Sequence, residues 1–251
     1  MKINFINPVK QNSANIVAVL TALVVVIPLP VKALTFVTNR ANLGANDQLD
    51  WSSLGSVKPF NVLPNSFSAK SQQGLGLSVD IPSPQPGISS PLVFHTLPAP
   101  GVETDFATGD YILLTGAKFN PSVAGNPGPL SITFDKPVKG AGTQLAVAFE
   151  LSPYQAFVSA FDVSNQELGT FSLNAFSSLA LDNSAAFLGV RSDTANIKKL
   201  VFKSSVDNLP FGINKLSIAV PEPSFNLSLL VFAALGGGLI TKRKVNRIIS
   251  D

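Results

Sequence analysis

Few residues in this chain could carry out catalysis. His95 is the single histidine, so a Ser-His-Asp triad would have to use it, and no Gly-x-Ser-x-Gly nucleophile motif is present. His95 lies in the apolar run Leu92–Thr96, and such a run predicts an ordinary strand position rather than a general base. The sequence therefore gives no support to a serine hydrolase.

Carboxylates occur in pairs that could serve acid–base chemistry. Glycoside hydrolysis needs two of them facing each other across a cleft, roughly 5–10 Å apart. Aspartate is also common in turns, and most of these residues lie in predicted turns. We therefore predict that the chain is not an enzyme, with an extracellular hydrolase as the weakest alternative. The pairs are Asp47 with Asp50, Asp105 with Asp110, and Asp162 with Glu167.

Calcium is the metal that the sequence leaves open, because it takes oxygen ligands from loops. The segment Glu103–Asp110 could supply carboxylate and backbone oxygens, but it lacks the spacing of an EF-hand loop. The chain has no cysteine, which excludes thiol catalysis and cysteine-ligated zinc. We predict no catalytic residue, no metal site and no cofactor.

Trp51 is a weak candidate for ligand binding. Sugar-binding β-domains usually present exposed Trp or Tyr rings, and residues 34–219 contain only Trp51, Tyr111 and Tyr154. The fifteen phenylalanines of that region occupy alternating strand positions and are expected in the core. A buried anchor is the alternative role for Trp51, and the sequence favours it.

The candidate residues named above lie in a sequence pattern that predicts short strands separated by turns. Runs rich in Val, Ile, Phe and Thr alternate with clusters of Gly, Pro, Asn, Asp and Ser, and no helical stripe is sustained. The predicted fold class is mainly β, a single β-sandwich of jelly-roll type over residues 34–219. The predicted strands are Leu34–Thr38, Leu75–Ile81, Leu92–Thr96, Tyr111–Thr115, Leu130–Phe134, Gln144–Phe149, Ala156–Phe161, Leu168–Leu173, Ala186–Val190, Lys199–Phe202 and Gly212–Ile218.

The N-terminal segment has the layout of a secretory signal peptide. Lys2 and Lys10 form a basic region, and Ile16–Ile27 is a twelve-residue apolar run. Val31 and Ala33 place small residues at the −3 and −1 positions and predict cleavage after Ala33, so residues 1–33 form the signal segment with its signal helix. An uncleaved anchor is the alternative, but twelve residues span a bilayer poorly.

The C-terminal segment has a second apolar run, Leu227–Ile240, which is uncharged and hydrophobic on every side. From Phe225 to Thr241 it would reach roughly 25 Å as a helix, slightly short of a hydrocarbon core. A transmembrane helix is predicted within residues 220–247, and an ordinary membrane anchor is one reading of it. The basic cluster behind it would stay on the cytoplasmic side; its residues are Lys242, Arg243, Lys244 and Arg247.

The tripeptide Pro221-Glu222-Pro223 precedes this apolar run. The order of Pro-Glu-Pro, short apolar helix and basic cluster resembles the PEP-CTERM protein-sorting signal of Gram-negative bacteria. The resemblance implies two processing partners, signal peptidase and an exosortase that removes the tail. It also implies only transient contact with the inner membrane, followed by release to the cell surface or the exopolysaccharide matrix. Because both prolines lack an N–H, the motif would stay extended and accessible.

Residues 34–219 are also similar to the secreted β-sandwich domains of cyanobacterial PEP-CTERM proteins, which supports the fold expectation. The similar stretches are Asn46–Trp51 with Leu54-Gly55, Phe187–Ser192 and Ile213–Ile218. Relatives often have an acidic residue where this chain has Asn214, which weakens the transfer of a calcium site to this position.

Charge excludes one further class of partner. The whole chain carries a net charge of +3, but residues 34–219 hold eleven Lys and Arg residues against thirteen Asp and Glu residues, a net charge of −2. The basic character thus belongs to the terminal segments, and we predict no nucleic-acid partner. The sequence favours an exported, non-enzymatic surface or matrix protein, with a polysaccharide-binding module as the alternative.

Overall fold

Antiparallel strands form most of the regular structure in the computed structural model, which describes residues 34–83, 88–117, 125–148 and 152–222. No helix in these ranges is long and apolar enough to cross a membrane. The predicted signal helix lies outside them, and so does the predicted tail helix. The strands are β1 Leu34–Val37, β2 Asp47–Leu49, β3 Phe60–Val62, β4 Ser66–Lys70, β5 Gly76–Asp80, β6 Leu92–His95, β7 Tyr111–Leu114, β8 Leu130–Val138, β9 Gly140–Val147, β10 Pro153–Phe161, β11 Glu167–Phe176, β12 Ala186–Ser192, β13 Ile197–Ser204, β14 Phe211–Ile213 and β15 Leu216–Ala219.

The strands form two sheets that share one apolar core. The larger sheet has the order β1-β12-β9-β14-β7-β6-β3, with β15 and β2 attached beside β9, and the smaller has the order β11-β10-β13-β8-β5-β4. Leu145 and Ile213 of the larger sheet belong to the same buried cluster as Ile132 and Phe202 of the smaller one. The predicted mainly-β sandwich is therefore confirmed, while the jelly-roll type stays a prediction.

The hairpin β10–β11 shows how alternation sets the two faces of the smaller sheet. Ala156, Val158 and Ala160 point into the core, and the intervening Phe157 and Phe161 remain half-buried on the outer face. The expectation that strand phenylalanines lie in the core is therefore wrong for these two positions. On the outer face, the Lys199 ammonium of β13 lies 4.3 Å from the Phe161 ring centroid, which is within the range of a cation–π interaction.

Three strands were missing from the sequence prediction. The strands β2, β3 and β4 are short, or rich in Ser, Asn and Lys, so their sequences lack the pattern of branched and aromatic residues. They pair nonetheless, because neighbouring strands offer backbone partners: β4 with β5, β3 with β6 and β2 with β15.

The predicted strand Gly212–Ile218 is wrong in one respect, because Asn214 interrupts it. Strand β14 pairs with one half of β9 and β15 with the other half. Between them the side-chain Oδ1 of Asn214 accepts from the backbone N–H of Gln144 at 3.2 Å, in place of a backbone carbonyl. From this point the larger sheet divides into two branches, β14-β7-β6-β3 and β15-β2.

The Asn214 side chain is buried and its amide uses both donor and acceptor atoms. The Nδ2 group donates to Asp110 Oδ2 at 2.9 Å and to Gln144 Oε1 at 2.6 Å. The Oδ1 atom also accepts from Arg40 Nη2 at 2.8 Å. A buried polar network of this kind stabilises only when its members are all satisfied, so the division of the sheet depends on an amide at this position.

Replacing Asn214 with leucine should strongly destabilise the sandwich. The change keeps the size of the side chain but leaves Arg40, Asp110 and Gln144 with fewer partners, so the free energy of unfolding should fall by about 2–4 kcal/mol. The matched control is Asn174→Leu on the exposed face of β11, which should change it by less than about 0.5 kcal/mol. Urea unfolding measures both, and equal losses would contradict the role of the amide.

Candidate functional site

An apolar cleft with a volume of about 360 Å³ lies on the outer face of the β14-β7-β6-β3 branch. Its floor is formed by Leu92 and Phe94 of β6 and by Ile112 and Leu114 of β7. The alternate residues of the same strands face the core between the sheets. These two strands are thus apolar on both faces, as expected only where both faces are covered.

Gly212 allows close packing in the floor of the cleft. It lies on β14 beside Leu114, and a Cβ atom built there would come within 2.6 Å of the Ile112 side chain. A larger residue at this position would displace Ile112. The absence of a side chain at Gly212 therefore makes room for Ile112 in the floor.

Two segments outside the strands form the walls of the cleft. The loop between β6 and β7 folds over the floor, and its Phe106 side chain is buried against it. The segment between β11 and β12 is tied to this loop by two backbone hydrogen bonds, from Leu181 to Thr104 at 2.8 Å and from Ala185 to Asp105 at 3.1 Å. These bonds fix the position of Asp105 at the cleft.

Asp105 differs from the other residues of the cleft because it is a buried carboxylate with an unpartnered oxygen atom. It lines the cleft, its side chain is only 2% exposed, and its Oδ2 atom has no hydrogen-bond partner in the described part of the chain. A buried carboxylate oxygen without a partner costs free energy, so its retention is a sign of a functional position. The exposed Glu103 lines the same cleft.

Burial is the main cause that raises the pKa of Asp105 to about 6, and the nearby Asp182 carboxylate makes a smaller contribution in the same direction. Backbone N–H groups of Asp105 and Ser178 act in the opposite direction by hydrogen bonding to the carboxylate. Burial also raises the pKa of Tyr154, with a second contribution from the charge of Asp105. Both shifts follow from placing ionisable groups under apolar side chains.

Trp51, the weak ligand candidate, lies in the core. Its ring has no exposed surface, and its Nε1 group donates to the backbone oxygen of Asn214 at 2.7 Å. A sugar cannot reach this ring, so Trp51 is not a sugar-binding platform but an anchor beneath the point where the larger sheet divides.

His95, the single histidine, lies in β6. Its ring contacts the Tyr111 ring edge-to-face, with 4.9 Å between the ring centroids.

The paired carboxylates take separate structural positions. Asp50 caps a 3-10 turn by accepting from Ser52 N at 2.8 Å, and Asp162 accepts from the backbone of its own hairpin loop. Asp47 is buried and braces a neighbouring turn through Gln73 N at 3.0 Å. Asp110 belongs to the Asn214 network rather than to the cleft. The described ranges contain no cluster of three or more residues of the types His, Cys, Asp and Glu that could hold a metal.

The predicted sorting residues fall mostly outside the described ranges. Pro221 is half-buried and Glu222 is exposed at the end of the described chain. Pro223 and the whole basic cluster lie beyond the described residues, and Ala33 lies just before their beginning.

The sequence analysis does not predict the cleft. The signal that could have revealed it is the unbroken apolar run in β6 and in β7, where a half-exposed strand would alternate.

No protein-family model and no curated protein matches this chain. Among solved structures it is similar to a DUF4465 family protein from Bacteroides caccae, at 12% identity over 72% of this chain and 99% of that one, with a TM-score of 0.26. It is also similar to the enzymatically active domain of tailspike protein 4 of bacteriophage CBA120, at 9% identity over 66% of this chain and 20% of that one, with a TM-score of 0.29. A family 11 carbohydrate-binding module of a Clostridium thermocellum cellulosomal cellulase is 10% identical over 70% of this chain and 96% of that one, with a TM-score of 0.13. TM-scores this low carry no argument about function.

The free energy of unfolding should depend on pH through the ionisation of the Asp105 carboxyl group. Its pKa is higher in the folded than in the unfolded protein, so the folded form gives up its proton less readily and stability falls as pH rises from about 4 to 6. Replacing Asp105 with asparagine removes this loss. The variant should therefore gain roughly 1–2 kcal/mol over the wild type between pH 4 and pH 7.

Urea unfolding of both proteins at several pH values measures this gain. A difference between variant and wild type that stays constant from pH 4 to pH 7 would contradict the burial of a carboxylate at the cleft.

Proposed function

We propose that this chain is an exported, non-enzymatic β-sandwich protein of the cell surface or extracellular matrix, sorted and processed through its C-terminal PEP-CTERM signal. The observation that carries the proposal is where the last described strand ends. Strand β15 ends at Ala219, and residues 220–222, which lead into the proposed sorting motif, contain no regular structure. The first described residue, Leu34, already belongs to β1 and follows the proposed cleavage site at Ala33.

Both ends of the sandwich are held by pairing within it. Strand β1 pairs with β12 from its first residue, Leu34, opposite Ser192. After β15, the backbone of Val220 exchanges two hydrogen bonds with the Asn46 side chain, at 2.8 and 3.1 Å. The motif then starts with Pro221, which cannot donate to a further strand. This arrangement would leave the motif outside the folded domain, where a membrane-embedded processing enzyme could reach it.

Binding of an extracellular polysaccharide stays the alternative proposal. The buried position of Trp51 moves any such site elsewhere on the protein. A Trp51→Ala variant would also be a poor test, because loss of a buried tryptophan costs about 3–5 kcal/mol and would unfold much of the protein. Retention of the unmodified protein on insoluble polysaccharides is the cleaner measurement.

Processing at both ends should be visible in the producing cell. Mass spectrometry of the mature protein should find an N-terminus at Leu34 and no peptide from the basic cluster that begins at Lys242. The triple variant P221A/E222A/P223A should keep its tail and stay in the inner-membrane fraction, since the processing enzyme would no longer recognise it. The matched control is D207A, which changes an exposed acid of the sandwich and should be processed normally.

An intact C-terminus at Asp251 in the wild-type surface fraction would contradict the sorting proposal. Equal processing of the triple variant and the control would contradict the role of the Pro-Glu-Pro motif.

A further inference from the structure

We propose that the cleft on the β14-β7-β6-β3 branch binds a small amphipathic amine, whose apolar body lies on the sheet and whose ammonium group meets Asp105 and Glu103. Export does not require this site, and the proposal stands independently of the sorting signal. The reasons lie in the apolar surface of the cleft, in its size and in the sign of its charges.

The apolar part of the cleft is large enough for a small molecule and open to it. A volume of about 360 Å³ falls in the range of pockets that take small ligands, which is roughly 300–1,000 Å³. Two large apolar side chains at the cleft remain in contact with solvent, Phe60 at 37% and Leu179 at 47% exposure. Exposed apolar side chains beside a concave apolar floor are typical of a binding site, because a ligand removes both from water.

The charges at the cleft select the polar end of the ligand. Among the described residues that line it, Glu103 and Asp105 are the charged ones, and no Lys or Arg is present. The Oδ2 atom of Asp105 is buried beside the cleft and has no hydrogen-bond partner among the described residues, so the charge of this carboxylate is poorly compensated. An ammonium group in the cleft supplies the opposite charge to both carboxylates.

The same features disfavour other ligand classes. Carboxylates and phosphates would be repelled by the two acidic side chains. A sugar has many hydroxyl groups that need hydrogen-bond partners, and the floor formed by Leu92, Ile112 and Leu114 offers none. The favoured ligand is therefore apolar along most of its length and cationic at one end.

Calorimetric titration of the purified mature protein with octylamine, octanoate and octanol tests this proposal. The wild-type protein should bind octylamine about tenfold more tightly than octanoate. The Asp105→Asn variant should lose about tenfold in octylamine affinity while its octanol affinity changes less than about twofold. Circular dichroism confirms that the variant is folded.

A second variant tests the site without altering a buried residue. Leu179→Lys places a positive charge at the cleft and should weaken octylamine binding by about tenfold. The matched control is Val163→Lys, which changes another exposed apolar residue in the β10–β11 hairpin loop and should leave the affinity unchanged.

Four results would overturn the proposal. The first three are equal affinities for octylamine and octanoate, equal effects of Leu179→Lys and Val163→Lys, and the absence of octylamine binding to the wild-type protein. The fourth is displacement of octylamine by cellohexaose, because the cleft would then take a sugar.

Discussion

The larger sheet depends on one buried amide. Asn214 lies where a strand next to β9 would otherwise continue, and its side chain replaces a backbone partner of Gln144. The same amide joins Arg40 to Asp110, so a cation and an anion from distant parts of the chain meet at the point of division. An aspartate could accept these bonds but could not donate them, which explains in physical terms why an asparagine serves here.

Each branch that leaves this point has a separate consequence. The β14-β7-β6-β3 branch has one face on the core, is apolar on its outer face as well and carries the cleft. The β15-β2 branch contains the last described strand, β15, which leads to Val220 and the proposed sorting motif. The proposed ligand site thus lies on one branch, and the proposed processing site follows the other.

The sequence predicts those parts of the fold that local patterning determines. The hairpin β10–β11 was predicted because its residues alternate over a long span, and its pairing is confirmed. The division at Asn214 could not be predicted, because its partners Arg40 and Asp110 are more than a hundred residues away along the chain. Asp105 looked like an ordinary turn residue for the same reason, since only contacts with a distant segment bury it. For Trp51 the sequence favours an anchor over a platform, and the complete burial of its ring confirms the anchor.

A sandwich held at both ends by its own strands should need neither terminal segment to fold. A protein consisting of residues 34–222 tests this most directly, by circular dichroism and by hydrogen exchange of the amides in β9, β14 and β15. We expect a β-rich spectrum, one cooperative unfolding transition and slow exchange at these strands. A chain that aggregates, or that shows no protected amides around Asn214, would mean that the terminal segments contribute to the core, and would contradict the proposal that they are removable address signals.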